Sequence, residues 1–184
     1  RNTGSSYVVR LDSGEETSCR VKGNFRIRGI RTTNPVAVGD RVTVAGSAED
    51  ADYITAISPR RNYIIRRASN LSKESHILAA NLDCAALVAT LRDPQTPTTF
   101  IDRFLATAEA YSVPAMIVLN KTDLWDEDDR MLGDLVAGLY RSIGYPVFEV
   151  SAQTGYGLGS LVEELRGKTT LFAGNSGVGK SSLI

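Results

Sequence analysis

The sequence has few residues of the kinds that bind metals or form cross-links. Its 184 residues include one histidine, His76, and two cysteines, Cys19 and Cys84, which lie 65 positions apart. A structural zinc site usually takes four Cys or His ligands, so these three dispersed residues argue against zinc within this segment. In a reducing cytosol, the cysteines are predicted to be buried thiols rather than a disulfide.

Long apolar runs are also lacking. No stretch reaches the roughly 18 residues needed to span a bilayer, and no signal peptide opens the chain. We therefore expect a cytoplasmic protein with no membrane partner. With 42% hydrophobic residues, the chain is long enough for one or two domains with cores of their own.

The formal net charge is zero, but the charges are divided unevenly along the chain. Residues 1–67 contain 12 Lys and Arg against 7 Asp and Glu, and residues 68–184 contain 9 against 14. The first part is therefore basic and the second acidic. We place a domain boundary between residues 67 and 68.

The basic part is rich in short β-prone stretches separated by turns. Strands are predicted over Tyr7–Arg10, Ser18–Val21, Arg41–Val44 and Tyr53–Ile57. Several short alternating strands in 67 residues fit a small closed barrel, and the OB-fold is the commonest such barrel that binds nucleic acid. An SH3-like barrel fits the same pattern.

A cluster of basic residues lies inside this part. Arg20, Lys22, Arg26, Arg28 and Arg31 bracket Phe25. Basic side chains around an aromatic ring suit an RNA surface, where guanidinium groups meet phosphates and the ring stacks on an unpaired base. The alternative is a charged edge that blocks strand pairing. Four more arginines flank residues 62–65 and either extend that surface or solubilise a linker: Arg60, Arg61, Arg66 and Arg67.

The second part alternates apolar strands with helical patterns. Such an alternation predicts a mainly parallel sheet between helical layers, the α/β class. Met116 and Met131 are predicted core residues, and Trp125 is predicted to anchor its loop rather than stack on a ligand. The strands are predicted at 85–91, 115–119, 146–150 and 169–173, and the helices at 100–111, 128–142 and 159–166.

A phosphate-binding loop follows the last predicted strand. Residues 174–181 read GNSGVGKS, a pattern in which glycines let backbone N–H groups face phosphates at a helix N-terminus. Lys180 is the predicted catalytic group that reaches the β- and γ-phosphates, and the Ser181 hydroxyl is the predicted Mg²⁺ ligand. A Gly-rich turn that only opens a helix is the alternative. The predicted nucleotide contacts in this segment are Gly174, Asn175, Ser176, Gly177, Val178, Gly179, Lys180, Ser181 and Ser182.

The motif NKTD at residues 120–123 is suited to select the base. The Asp123 carboxylate can accept hydrogen bonds from guanine N1–H and from the exocyclic amino group, a donor pair that adenine lacks. Asn120 can bridge loop and base, and the Lys121 stem can cover the purine face. The alternative is a strand that ends in a solvated turn before an acidic run.

A third motif, SAQTG, begins at Ser151 after another predicted strand. A backbone N–H near Ala152 can contact guanine O6. Because ligands bind at the carboxyl ends of parallel strands, loops that follow three such strands converge on one nucleotide.

The order of these motifs is unusual. In an ordinary GTPase the phosphate loop opens the domain, whereas here Gly174 lies 54 positions after Asn120. On this motif order, the chain resembles the circularly permuted GTPases of small-ribosomal-subunit biogenesis. The resemblance also rests on the stretches at residues 77–83 and 100–105 and on the barrel ahead of them. The resemblance covers nearly the whole chain. It implies an N-terminal OB-fold that contacts rRNA, a permuted GTPase domain and a C-terminal zinc domain, with GTP hydrolysis stimulated by the small subunit during its late maturation.

The chain departs from that family in what it lacks. It stops at Ile184 without the zinc domain, and no DxxG element, whose Asp helps to hold Mg²⁺, occurs after Lys180 or upstream. We expect a fragment that binds guanine nucleotide weakly if at all, does not hydrolyse it alone and has a phosphate loop that is open, mobile or empty. Two alternatives remain: a permuted GTPase with another client, such as the large subunit, and a nucleic-acid-binding module with a vestigial nucleotide site.

Overall fold

The computed structural model describes residues 6–21, 35–46, 52–67 and 75–184. Contacts divide the chain into two compact units, Arg1–Asn81 and Leu82–Ile184. Of the predicted RNA surface, Arg20 is described, as an exposed residue of a strand. The rest of that surface lies outside the described residues: Lys22, Phe25, Arg26, Arg28 and Arg31.

The first unit contains a mixed four-stranded sheet of an OB-like domain. β2 (Glu16–Val21) pairs with β4 (Asp52–Ile57) in parallel, and the other two pairings are antiparallel. The four predicted strands are confirmed to within two residues at each end. Three strand side chains, Tyr7, Cys19 and Ile54, form a core with Val36. The strands are β1 (Tyr7–Arg10), β2 (Glu16–Val21), β3 (Val42–Ala45) and β4 (Asp52–Ile57), in the spatial order β1-β2-β4-β3.

A hairpin that the sequence analysis did not predict also belongs to the first unit. Its strands, β5 (Tyr63–Arg67) and β6 (Ser75–Ala80), pair antiparallel. At the end of β6, Asn81 Nδ2 donates to Gly39 O at 2.9 Å, and Asn81 Oδ1 accepts from Arg61 N at 2.9 Å. These bonds tie the hairpin to the rest of the first unit, so the units divide after Asn81 rather than at the predicted boundary.

Arg60 is buried in an ion pair rather than exposed on a basic surface. Its guanidinium donates to both Asp40 carboxylate oxygens at 2.7 Å and to Pro35 O at 3.1 Å. The hydrogen bond to Asp40 raises the pKa of Arg60. The two side chains are 8% and 0% exposed, so Arg60 is not available to RNA, and loss of either partner would leave a buried charge unpaired.

The second unit is a parallel sheet with helices, which confirms the α/β class. All six residues of β7 (Cys84–Ala89) are buried, as expected for a strand covered on both faces. The strands are β7 (Cys84–Ala89), β8 (Ala115–Leu119), β9 (Val147–Glu149) and β10 (Thr170–Ala173), in the order β10-β7-β8-β9. The helices are α1 (Thr98–Ala110), α2 (Glu127–Ser142), α3 (Leu158–Leu165) and α4 (Lys180–Leu183).

Alternation along the strands divides the core of this unit into two layers. Leu87 and Ile117 pack with Ile101 of α1 and Tyr140 of α2. Their neighbours along the same strands pack in the other layer, with α3 and with the segment that precedes α4: Val88, Val118, Leu161 and Val178. The second layer is thus continuous with the predicted phosphate loop.

Trp125 anchors its loop, as predicted. It is 9% exposed and packs in the core, where a Cβ added at Gly133 of α2 would lie 2.6 Å from its ring.

Met116 is buried, as predicted, but the prediction for Met131 is wrong, because that side chain lies on the solvent face of α2 and is 65% exposed. Both cysteines are free and buried. Among the described residues, no helix is long and apolar enough to cross a membrane.

Candidate nucleotide-binding site

Four loops follow the carboxyl ends of the parallel strands and meet at one edge of the sheet. Three of them carry the predicted motifs, and the fourth, residues 90–97, follows β7. A cleft of about 370 Å³ opens there, lined by Asn120, Lys121, Asp123, Leu124, Ala152, Gln153, Gly179 and Ser182. A cleft of about 480 Å³ in the first unit contains none of the predicted motif residues.

Asn120 ties three of these loops together. Its side-chain Nδ2 donates to Val178 O at 2.9 Å, and its Oδ1 accepts from Ala152 N at 3.1 Å. The residue is 1% exposed, so both polar groups of the side chain are satisfied inside the protein. Asn120 therefore organises the site more than it faces the cleft.

Asp123 is held in place by the SAQTG loop. The buried Ser151 hydroxyl donates to Asp123 Oδ1 at 2.5 Å and accepts from Thr154 N at 3.1 Å. This relay fixes the carboxylate while leaving the Asp123 side chain exposed at the cleft. An exposed carboxylate fixed by one oxygen is suited to accept hydrogen bonds from a ligand.

Lys121 immediately precedes the short 3-10 helix Thr122–Leu124 and has a left-handed backbone, with φ of 67°. Its ammonium donates to Asp93 O in the loop after β7. The aliphatic stem thus runs along the cleft that Lys121 helps to line.

The phosphate loop is folded back on itself. Lys180 Nζ donates to Gly174 O at 2.9 Å and to Asn175 O at 2.6 Å. Gly174 has φ of 144°, and a Cβ there would lie 2.3 Å from Val88 O, so only glycine fits. The loop is closed rather than open, because Lys180 and Asn120 both bond to loop carbonyls.

The remaining predicted contacts differ in their exposure. Val178 is fully buried in the core, so only its backbone belongs to the site. Ser176, Gly177, Ser181 and Ser182 are exposed. Ser181 lies in the first turn of α4 beside Lys180 and presents a hydroxyl oxygen, the kind of hard ligand that Mg²⁺ accepts.

Two family models match the chain. The model described as RsgA GTPase matches residues 57–184, and the model described as RsgA N-terminal domain matches residues 1–54. This chain belongs to the RsgA GTPase family. The resemblance seen in the motif order is thereby confirmed.

Curated relatives extend beyond this chain. The "Small ribosomal subunit biogenesis GTPase RsgA" of Bacteroides fragilis is 58% identical over 184 residues. The protein of the same name from Porphyromonas gingivalis is 60% identical over 186 residues. The match takes in the whole of this chain but only 59% of each relative.

Two solved structures have the same architecture. YjeQ from Thermotoga maritima is 36% identical with a TM-score of 0.75, over 97% of this chain and 59% of that one. YloQ, described as a circularly permuted GTPase, is 33% identical with a TM-score of 0.72, over 99% of this chain and 60% of that one. The permuted GTPase fold predicted from the motif order is confirmed.

Proposed function

We propose that the protein carrying this chain binds and hydrolyses GTP in the late maturation of the small ribosomal subunit, in the cytoplasm. The observation that carries the proposal is the pair of hydrogen bonds made by the Asn120 side chain. These bonds bring the phosphate loop, NKTD and SAQTG together beside one cleft. The names of the relatives support the ribosomal role.

Guanine is selected through Asp123 in this proposal. Its carboxylate accepts hydrogen bonds from N1–H and the exocyclic amino group, and Ser151 holds it in position. The Ala152 N–H already donates to Asn120 Oδ1, so guanine O6 would share this donor. Adenine presents no matching pair of donors, so it would gain neither of these two hydrogen bonds.

Phosphate binding requires Lys180 to exchange partners. In the structure its ammonium is satisfied by Gly174 O and Asn175 O. Nucleotide phosphates carry full negative charge and compete well for an ammonium that is held only by neutral carbonyls. Mg²⁺, when bound through the Ser181 hydroxyl and the phosphates, would neutralise part of the phosphate charge.

The first test is the binding of GDP and ADP to the purified chain in the presence of Mg²⁺. We expect GDP to bind, weakly in this chain alone, and ADP not to displace it. Lys180→Ala should remove most of the affinity for GDP. Lys168→Ala should not, because Lys168 lies beyond the end of α3 and pairs with Glu164 of that helix. A chain that binds RNA but no GDP would instead be a nucleic-acid-binding module with a vestigial site.

We also propose that the first unit contacts ribosomal RNA through Arg26, Arg28 and Arg31. Each phosphate contact releases condensed counterions and contributes about 0.7–0.9 to the slope of log affinity against log salt. Replacing the three arginines by Ala should therefore flatten this slope for small-subunit binding by about two units.

A matched triple variant controls for net charge. Arg103, Arg130 and Arg166 are exposed residues of the second unit, and their replacement by Ala removes the same charge. We expect this control to keep the wild-type slope. Equal slopes for the two triple variants would place the RNA surface elsewhere.

A further inference from the structure

The loop after β7, residues 90–97, has a rigid internal structure although its sequence matches none of the GTPase motifs. The Thr90 hydroxyl donates to Pro94 O at 2.5 Å, and Thr90 N donates to Thr96 Oγ1 at 3.1 Å. Thr96 N in turn donates to Thr90 O at 2.8 Å. Thr90 and Thr96 are 1% and 7% exposed, so these bonds are shielded from water and fix the loop.

The loop is also fastened to the segment that follows NKTD. Arg92 pairs with Asp126 at 2.8 Å and with Asp129 at 2.5 Å. The same two carboxylates form the capping box at the start of α2. The Asp129 N–H and the Arg92 guanidinium hold the pKa of Asp126 below its usual value. The loop and the start of α2 therefore position each other.

Two contacts connect the tip of this loop with the nucleotide motifs. Asp93 O accepts a hydrogen bond from the Lys121 ammonium. Pro94 lies beside the phosphate loop, where a Cβ added at Gly177 would be 3.3 Å from Pro94 Cδ. The tip thus contacts the side chain expected to cover the base and also the loop expected to hold the phosphates.

We propose that residues 90–97 form a fourth loop of the nucleotide site, in which the Asp93 carbonyl positions the Lys121 stem over the purine ring. This inference rests on the proposed function. An unanchored lysine stem samples many rotamers, and ordering it on binding costs conformational entropy. With the ammonium fixed at Asp93 O, the stem is ordered before the nucleotide arrives, so affinity rises without a new ligand contact.

The proposal makes Thr90 and Arg92 positioning residues that act through Lys121. Thr90→Val removes the hydroxyl that holds Pro94 O while keeping the side-chain shape. Lys121→Met keeps an apolar stem but removes the anchoring ammonium. Each single variant should weaken GDP binding about three- to tenfold, the effect of one hydrogen bond. The double variant should be no weaker than Lys121→Met alone.

The experiment measures GDP and IDP affinities for the wild type, both single variants and the double variant. Because IDP lacks only the exocyclic amino group, Thr90→Val should lower both affinities by the same factor. Arg92→Gln provides a second loop variant at a half-exposed position if Thr90→Val folds poorly, and its loss should likewise disappear in the Lys121→Met background. Thr107→Val is the matched control, since its hydroxyl also donates to a carbonyl, Arg103 O at 2.7 Å, but in α1.

The outcomes separate this proposal from the proposed function. The fourth loop is supported if the wild-type chain binds GDP and if the losses of GDP affinity from Thr90→Val and Lys121→Met do not multiply in the double variant. Affinity losses that multiply in the double variant would overturn it, because a purely structural role acts independently of Lys121. A changed ratio of GDP to IDP affinity in Thr90→Val would also overturn it. A full-length protein carrying this chain that binds no GDP would overturn the proposed function as well.

Discussion

Asp123→Asn should lower the affinity for GDP by about a hundredfold or more and make XDP the preferred nucleotide. Each of the two proposed bonds from guanine to the carboxylate is charge-assisted and contributes about 1.5–3 kcal/mol. The Asn amide presents a donor where guanine also presents one, whereas xanthine has a C2 carbonyl that accepts. The Ser151 hydroxyl that holds Asp123 at 2.5 Å remains available to orient the new side chain.

Competition among GDP, XDP and ADP measures this change in preference. Asp128→Asn is the matched control, because it makes the same chemical change in the first turn of α2, outside the residues that line the cleft. Ser151→Ala should weaken GDP binding less, since it loosens the carboxylate without removing it. Unchanged discrimination by Asp123→Asn would exclude Asp123 from the base site.

The parallel sheet was predictable because the apolar character of its strands is visible in the sequence. The six residues of β7 are all buried, and a continuous apolar run of this kind suits only a strand covered on both faces. The hairpin of β5 and β6 was not predicted, because Arg60, Arg61, Arg66 and Arg67 gave its first strand the appearance of a charged linker. Burial of Arg60 depends on Asp40, 20 residues earlier, and no local pattern reveals such a partner.

The candidate site was predictable where side chains are proposed to bind the ligand and not where the backbone is. Asp123 and Lys180 belong to motifs whose residue types suit the groups that we propose they bind. The loop after β7 is proposed to act through carbonyl oxygens of Asp93 and Pro94, which every residue possesses, so its sequence carries little signal. One indication was present, because a loop after a central parallel strand lies at the same edge as the three motifs.

Gly179→Ala should lower nucleotide affinity by about a hundredfold, although it adds a single methyl group. Gly179 has φ of +93°, and the new Cβ would lie 2.3 Å from Asn120 Nδ2. Asn120 is 1% exposed and cannot move away, so its bonds to Val178 O and Ala152 N are lost or distorted. Each buried polar group left unpaired costs about 1–3 kcal/mol.

Gly144→Ala separates the steric effect from backbone strain. Gly144 follows α2 with φ of +95°, but a Cβ there meets no atom within 4 Å. Both variants place alanine in the left-handed region, which costs about 1–3 kcal/mol, so both should lower the melting temperature. Only Gly179→Ala should lose GDP binding in an equilibrium titration, because only there does the methyl group displace the side chain that joins three loops. Equal GDP affinities in the two variants would mean that Asn120 does not hold the site together.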